Sequence, residues 1–529
     1  RVYDVALVWA LRHRLTMLAI FFLVLGGTGW FFVAIPKGFV PDQDTDQMTV
    51  TTEAIQGTAF QQMSEYQQRV AEIVNADPDV DSLTATVGGP NASVLGGPNI
   101  GQVVVHLKPR NEREILVGEI MERLRPQLAA VPGVRVYLEN PPVLRIGGQL
   151  TKSLYQFTLQ SPDKPELYAA AEKLTAKLED EAPLMDVASD LQIRTPQVQV
   201  TIDRDKAAAL QVNAQGVENT LYDAYGPRWV STIYSSVNEY KVLLELLPQY
   251  QSDPRALSML YFKPSSGALI PLDSLADITQ VIGPQAISHA GQLPAATISF
   301  AVRPGYSLGA ALDIVKKRAE EIVPATISTS FSGMAEAFQG SLGNLWALLF
   351  IAVMVVYLVL GILYESYIHP LTILSGLPSA GFGALVTLWL FHMELNIYAF
   401  VGVILLIGIV KKNAIMQIDF ALEAERKEGK APVDAIYEGC LIRFRPIMMT
   451  TMGALFGAVP IAVGFGAGGE ARQPLGLCVV GGLIFSQLVT LYLTPVVYTY
   501  MASFQSWLAR GKKPKTERRL AVEPASVGD

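Results

Sequence analysis

Three charged residues lie inside one apolar run, LNIYAFVGVILLIGIVKKNAIMQIDFA from Leu395 to Ala421: Lys411, Lys412 and Asp419. An ammonium group in hydrocarbon is costly unless it faces a cavity or a partner, so each is a candidate for ion or proton chemistry. On a helix, Lys412 and Asp419 share a face but stand about 10.5 Å apart along the axis, too far to pair without water or long side chains. Lys411 points about 100° away from Lys412, so the two cannot line one site. Lys412 lies roughly 25 Å along the run from Leu395, which keeps a second reading open: either ammonium could snorkel to the nearer membrane surface.

A second set lies in CLIRFRPIMMTT, from Cys440 to Thr451. If helical, Arg443 and Thr450 share a face and Arg445 points nearly opposite. Pro446 either opens the span at its first turn or kinks it. The plainer alternative makes both arginines anchors at the positive side and Thr450 a hydroxyl bonded within its own helix. No other apolar run supplies a carboxylate at the depth of Lys412 or Arg443, and Glu365 and Glu394 fall at span edges. A buried cation needs a partner, so an Asp or Glu is expected from a helix outside this sequence.

The elements that must position these residues are membrane spans. Of the 529 residues, 50% are hydrophobic and only 17% charged, a composition far from that of an ordinary soluble enzyme. Six runs are long and apolar enough to cross a bilayer: Leu15–Ile35, Leu345–Tyr364, Pro370–Phe391, the run from Leu395, Pro446–Ala467 and Pro474–Phe504. Arg12 and Arg14 precede the first, Arg426, Lys427, Lys430, Arg443 and Arg445 lie between the fourth and fifth, and a basic cluster from Arg510 follows the sixth. The positive-inside rule then places both termini in the cytoplasm and the polar middle outside. Arg1 is not a starter methionine, and the chain is expected to begin partway through a longer product.

The polar middle alternates strand and helix patterns, which predicts α+β layers. Met48–Ile55, Phe60–Asn75 and Val80–Val87 read as strand, helix, strand, and Val103–Leu107, Glu112–Ala129 and Val134–Glu139 repeat the order. A second copy begins at Leu154–Gln160, includes a strand at Val198–Ile202, and ends at Ile327–Phe331, interrupted by a β-rich insertion over about 224–287. The expected divisions are 1–37 (flank and first span), 38–143, 144–223 with 288–335, the insertion 224–287, 336–507 (five spans), and a disordered basic tail at 508–529.

Several functions are disfavoured. GFGAGG (Gly464–Gly469) follows a membrane span rather than a strand, so the dinucleotide reading fails, and there is no P-loop to drive an ATP motor. Cys440 and Cys478 fall in or beside apolar runs and make no disulfide framework, and five scattered histidines suggest no metal site. No basic stretch outside the membrane flanks points to nucleic acid. Gly453 and Gly457 form a GxxxG, expected to mark a close helix contact.

Five ordered motifs carry a resemblance over essentially the whole chain: GFVPDQD (Gly38–Asp44), LYESYIHP (Leu363–Pro370), IGIVKKNAIMQIDFA (Ile407–Ala421), RFRPIMMTT (Arg443–Thr451) and GGEARQPLG (Gly468–Gly476). The sequence resembles the C-terminal half of a resistance-nodulation-division exporter of the hydrophobe/amphiphile branch, nearest its Mdt-type multidrug pumps. The resemblance implies a proton antiporter rather than an enzyme, in the inner membrane of a Gram-negative bacterium. It would have no cofactor beyond the coupling proton. It further implies a twelve-span unit of two halves, each half with a large periplasmic loop, so this chain would supply six spans, two porter subdomains and a docking insertion. The partners implied are an N-terminal half carrying paired aspartates, a homo- or hetero-trimer, a periplasmic adaptor, an outer-membrane channel, membrane lipid and amphiphilic small molecules.

By motif position the family's mobile lysine falls on Lys412, beside Asn413, and the arginine and threonine of its proton relay on Arg443 and Thr450. Lys411 and Asp419 are weaker candidates. The family's drug pocket would fall near Val87, Asn91, Leu95 and Ile100, but TATVGGPNASVLGGPNIGQVVV (Thr84–Val105) has no aromatic residue, a departure from the phenylalanine-rich pattern. Alternatives within the same fold are a lipid or metal exporter, or an assembly subunit of a mixed trimer that translocates no protons.

Overall fold

The computed structural model describes residues 1–88, 97–226, 228–251, 253–264, 267–466 and 468–510. The chain opens with α1 (Val2–Arg12), which buries Tyr3, Leu7 and Ala10 and leaves Val2, Val5 and Trp9 exposed. This spacing gives one packed stripe and one bare apolar face, the form of a helix lying at a membrane surface. Sequence reading took the segment only as a basic flank. At His13 the backbone turns, and α2 (Arg14–Ala34) starts as the first of six helices, among the described residues, long and apolar enough to cross a membrane.

An irregular strap then leads to β1 (Gln47–Ala54), α3 (Phe60–Asn75), β2 (Val80–Val87), β3 (Ile100–Leu107), α4 (Val117–Ala129) and β4 (Val134–Glu139). The strands pair antiparallel in the order β2-β3-β1-β4, interleaving the two expected strand-helix-strand copies into one sheet. Alternate residues Met48 and Val50 of β1 and Val103 and Val105 of β3 meet Val70 and Val74 of α3 and Ile120, Leu124 and Leu128 of α4, all essentially fully buried. Period two on the strands and three to four on the helices make that single core.

The second unit starts with β5 (Tyr155–Gln160), α5 (Lys164–Glu179) and β6 (Leu184–Ser189), and there the chain leaves it. It runs through β7 (Thr195–Ile202), two short helices, the hairpin β8 (Arg228–Tyr234) with β9 (Glu239–Leu244), and β10 (Ala276–Gly283). It returns as β11 (Leu293–Val302), α6 (Leu308–Ile322) and β12 (Ser328–Gly333). The sheet order β6-β11-β5-β12 repeats that of the first unit. The strand expected in this unit at Val198–Ile202 lies in β7, which pairs along its whole length with β10 instead. A central position must be apolar on both faces: AATISFAV of β11 supplies that, whereas TPQVQVTI of β7 carries a proline and two glutamines and suits a two-stranded ribbon.

β12 runs straight into α7 (Met334–Tyr364), with Gly333 at φ 64° making the turn. The remaining spans are α8 (His369–Leu390), α9 (Ile397–Glu428), α10 (Pro432–Ala462) and α11 (Gly469–Arg510). The fifth span does not start at Pro446. Ala435, Ile436, Gly439 and Cys440 are already buried in α10, packing beside Ala414, Ile418 and Ala421 of α9, so the helix begins at Pro432 and Pro446 falls within it. A Cβ at Gly453 or Gly457 would meet no atom of another helix within 4 Å. The close helix approach is made elsewhere: a Cβ on Gly402 of α9 would stand 2.9 Å from Cβ of Cys478 of α11.

Candidate functional site

The middle of α9 presents two unlike faces. Asn396 caps the helix by accepting from the Ala399 N–H at 2.9 Å, and Ala399, Leu406 and Val410 pack inward, fixing the rotation of the turns that follow. That rotation buries Lys411 and Asn413 and leaves Lys412 on a face this chain does not cover. Among the described residues, no ion pair or hydrogen bond reaches either lysine's ammonium group. Helix geometry had separated the two lysines, and the structure shows which side each takes.

Asn413 is the hinge of a buried polar triangle. Its amide donates to Oγ1 of Thr451 on α10 at 3.0 Å and to Oε1 of Gln487 on α11 at 3.1 Å, while Thr451 donates to Gln487 at 2.9 Å. The second amide hydrogen-bonding group, Nε2 of Gln487, reaches Sδ of Met448 at 3.2 Å. In an apolar interior an amide without partners is expensive, so these groups satisfy one another and lock three helices in register. Sequence reading missed Thr451 and Gln487. The signal was present in IFSQLVTLYLTP, where Ser486, Gln487, Thr490 and Thr494 stripe one side of an otherwise apolar helix and are all buried. Ser486, Thr494 and Gln417 each keep a buried oxygen without a hydrogen-bond partner among the described residues.

The other predicted relay residues sit apart from the triangle. Thr450 is exposed, its hydroxyl donating to the Ile447 carbonyl at 3.2 Å, whereas the adjacent Thr451 turns inward. Arg443 is half-buried, its guanidinium carbon 5.7 Å from the centre of the Phe420 ring and its Nε without a hydrogen-bond partner. Asp419 does not pair with Lys412: Oδ1 accepts from the Tyr364 hydroxyl at 2.5 Å, tying α9 to the end of α7. Of the pocket candidates, Ile100 is buried at the start of β3, Val87 is half-buried on the edge strand β2, and Asn91 and Leu95 lie outside the described residues.

The N-terminal end of α9 is tied to the first α+β unit by the strap that follows α2. The Leu395 N–H donates to the Pro36 carbonyl at 2.8 Å, the Gly38 N–H to the Leu395 carbonyl at 3.4 Å, and the Ile397 N–H to the Phe39 carbonyl at 3.1 Å. A Cβ at position 38 would meet the Glu394 carboxylate, so a larger residue there would have to displace that side chain. Farther along, the Asp44 N–H donates to Oε1 of Glu470 at the start of α11, 3.3 Å away. The Asp44 carboxylate accepts from Arg113 at 2.5 and 2.8 Å and from the Val117 N–H at 2.9 Å, at the positive end of α4. Burial alone would raise this carboxyl; the Arg113 guanidinium and the Asp46 and Val117 amides outweigh it and hold it below the usual carboxylate range. Two of the quoted motifs, GFVPDQD and GGEARQPLG, thus meet the start of the helix carrying Lys412 in one hydrogen-bonded junction.

Comparison with known proteins agrees with this geometry. The model of the AcrB/AcrD/AcrF family matches residues 1–502. The chain is 42% identical over 512 residues to the multidrug resistance protein MdtC of Serratia proteamaculans (strain 568), covering 97% of this chain and 49% of that protein. It is also 42% identical over 514 residues to MdtC of Escherichia coli O7:K1 (strain IAI39 / ExPEC), with the same coverages. Two crystal forms of a heavy metal efflux pump superpose with a TM-score of 0.85 at 24% identity, over 95% of this chain and 52% of theirs, and so share its fold. The chain spans about half the length of the curated relatives it matches. It belongs to the AcrB/AcrD/AcrF family of resistance-nodulation-division transporters.

Proposed function

We propose, from that membership, that the chain is the C-terminal six-span half of a proton-driven exporter of drugs or other amphiphilic small molecules. The observation that carries the proposal is Lys412: a cation in a membrane helix, on a face its own chain leaves open, beside an asparagine that its own chain locks in place. A charge so placed suits a carboxylate partner on the missing half. Ionised, that partner holds the ammonium; protonated, it releases it, and the balance between two helix arrangements shifts.

The strap supplies the transmission. A displacement of α9 pulls on Pro36, Gly38 and Phe39, and through Asp44 on Arg113 and α4, so the first α+β unit moves with the helix. Arg443 and Thr450, near the open face of α10, would line the path by which protons leave toward the basic side of the membrane. In this reading both termini are cytoplasmic and the two α+β units are periplasmic porter subdomains. The hairpin β8–β9 belongs to a docking portion, and the pump works as a trimer in the inner membrane with an adaptor and an outer-membrane channel.

The test is Lys412→Ala in the complete pump, reading efflux of a fluorescent substrate from energised cells or vesicles. Export falls to the level of cells without the pump while expression and assembly persist. Unchanged export would return Lys412 to a snorkelling role.

A further inference from the structure

Two helices of the membrane bundle carry polar stripes along one seam. On α9 the stripe is Asn413, Gln417 and Glu425; on α11 it is Ser486, Gln487, Thr490, Thr494 and Tyr498. At 100° per residue each set falls within an arc of about 120°, and each covers about 18 Å of helix. Hydrogen bonds fix the two arcs against each other at both ends. The Asn413 amide donates to Oε1 of Gln487 at 3.1 Å, and the Tyr498 hydroxyl donates to Oε1 of Glu425 at 2.7 Å. The bonded residues are 12 apart on α9 and 11 apart on α11, so the two helices run in the same direction in near register. Between the bonds, Ala414, Ile418 and Ala421 of α9 share a buried cluster with Leu491 of α11.

Between those two ties the polar groups lack partners. Gln417 and Ser486 are each 2% exposed and Thr494 is fully buried, yet Oε1 of Gln417, Oγ of Ser486 and Oγ1 of Thr494 have no hydrogen-bond partner among the described residues. Hydroxyls in membrane helices ordinarily bond back to their own backbone. Thr490 does so, donating to the Ser486 carbonyl at 2.6 Å, while its neighbours on the stripe do not. At the Glu425 end, α8 adds His369, whose buried ring stacks on Tyr498 with centroids 6.3 Å apart and whose Nδ1 is a fourth buried atom without a partner. Each such atom left dry costs about 1–3 kcal/mol. One buried water satisfies two to four of them.

We infer that ordered waters fill the seam between α9 and α11 in one file, from the polar triangle to Glu425, bound by Gln417, Ser486, Thr494 and His369. The use of such a file rests on the proton-driven reading: it is an inner route for protons, wholly within this chain, beside the outward one of Arg443 and Thr450. Each water passes on one proton as it accepts another, so the file returns to its starting composition. Glu425 is half-buried and the next residue, Arg426, is exposed, so the file ends at the side where the basic residues cluster.

The experiment is X-ray radiolytic labelling of the purified complete pump, read by mass spectrometry at two buried rings, Tyr498 on the seam and Phe300 in the apolar core of the second α+β unit. Radicals formed from ordered water label the side chain beside it, so Tyr498 is labelled at least tenfold faster than Phe300. Equal protection of the two rings overturns the inference. Thr494→Val keeps the side-chain shape and removes one hydroxyl. Labelling of Tyr498 then falls at least threefold while that of Phe300 is unchanged, and an unchanged Tyr498 rate also overturns the inference. Should this variant not yield folded protein, the comparison of the two rings in the unaltered pump decides by itself. Labelling needs no proton gradient. A labelled Tyr498 in a pump whose export ignores the gradient refutes the proton coupling and leaves the water file standing, whereas a protected Tyr498 in a gradient-driven pump refutes the file and leaves the coupling.

Discussion

The two faces of α9 obey opposite rules. Inward, the Asn413 amide donates to Thr451 and Gln487, and Thr451 donates to Gln487, so three helices of this chain share one hydrogen-bonded network. Outward, Lys412 has no partner among the described residues, and on the exposed side of α10 Thr450 bonds only to the Ile447 carbonyl of its own helix. One face carries a network that ties three helices of this chain together; the other carries an ammonium group that no described ion pair or hydrogen bond reaches. The difference teaches that a polar residue in a membrane helix must be judged by its partners, because Thr450 and Thr451 are sequence neighbours with unrelated partners.

The contrast can be broken by substitution. Lys412→Ala gives the largest functional effect, export reduced to background, with little change in melting temperature, since the side chain is exposed and none of the described ion pairs or hydrogen bonds reaches it. Next is Asp44→Ala at the junction, which leaves the buried Arg113 guanidinium with Asp46 and the Lys108 and Ile115 carbonyls as partners and costs about 1.5–3 kcal/mol, the range for hydrogen bonds to a charged group, read as a fall in thermal stability of the solubilised protein. Its pH dependence has a definite sign. The Asp44 carboxyl is held below its usual range, so its contribution is complete above the unfolded pKa, near about 4, and is lost as pH falls through the folded value. The wild type should therefore lose stability on acidification more steeply than an Asp44→Asn variant.

A smaller effect is expected inside the triangle. Gln487→Leu leaves Asn413 and Thr451 short of an acceptor and costs about 1–2 kcal/mol, in the range found for polar contacts between membrane helices. Thr451→Val should cost about 1 kcal/mol, measured by unfolding in detergent. Thr450→Val is the smallest in stability, within about 0.5 kcal/mol as for an exposed site, yet should slow export if the outward face carries the protons. A Thr450→Val variant with normal export and a Thr451→Val variant with normal stability would together erase the distinction between the faces.

Much of this was legible in the residues. Six apolar runs announced six spans because length and hydropathy suffice to mark a helix in hydrocarbon, and the alternation in the polar middle announced two copies of one α+β unit. The 100° step of a helix was enough to separate Lys411 from Lys412. Three things were not legible. β7 reads as a strand from its pattern, but which strand it joins depends on competition with β11, a segment about a hundred residues away that is more apolar. The start of α10 at Pro432 depends on packing against α9 rather than on hydropathy. The triangle needed three helices brought together, although the polar stripe on α11 could have nominated Gln487.

What the sequence determined by itself was therefore local: which segments are helices or strands, how apolar they are, and which residues of one helix share a face. These follow from backbone periodicity and side-chain solvation, which act within a few turns. What only the tertiary structure decided was which face turns inward. The rotation of α9 is set by Ala399, Leu406 and Val410 packing on the bundle and by the strap pinned at Leu395 and Ile397. The strap bonds join residues more than 300 positions apart, Leu395 with Pro36 and Ile397 with Phe39. The sequence placed a lysine in a membrane, and the packing of distant helices left that lysine facing out.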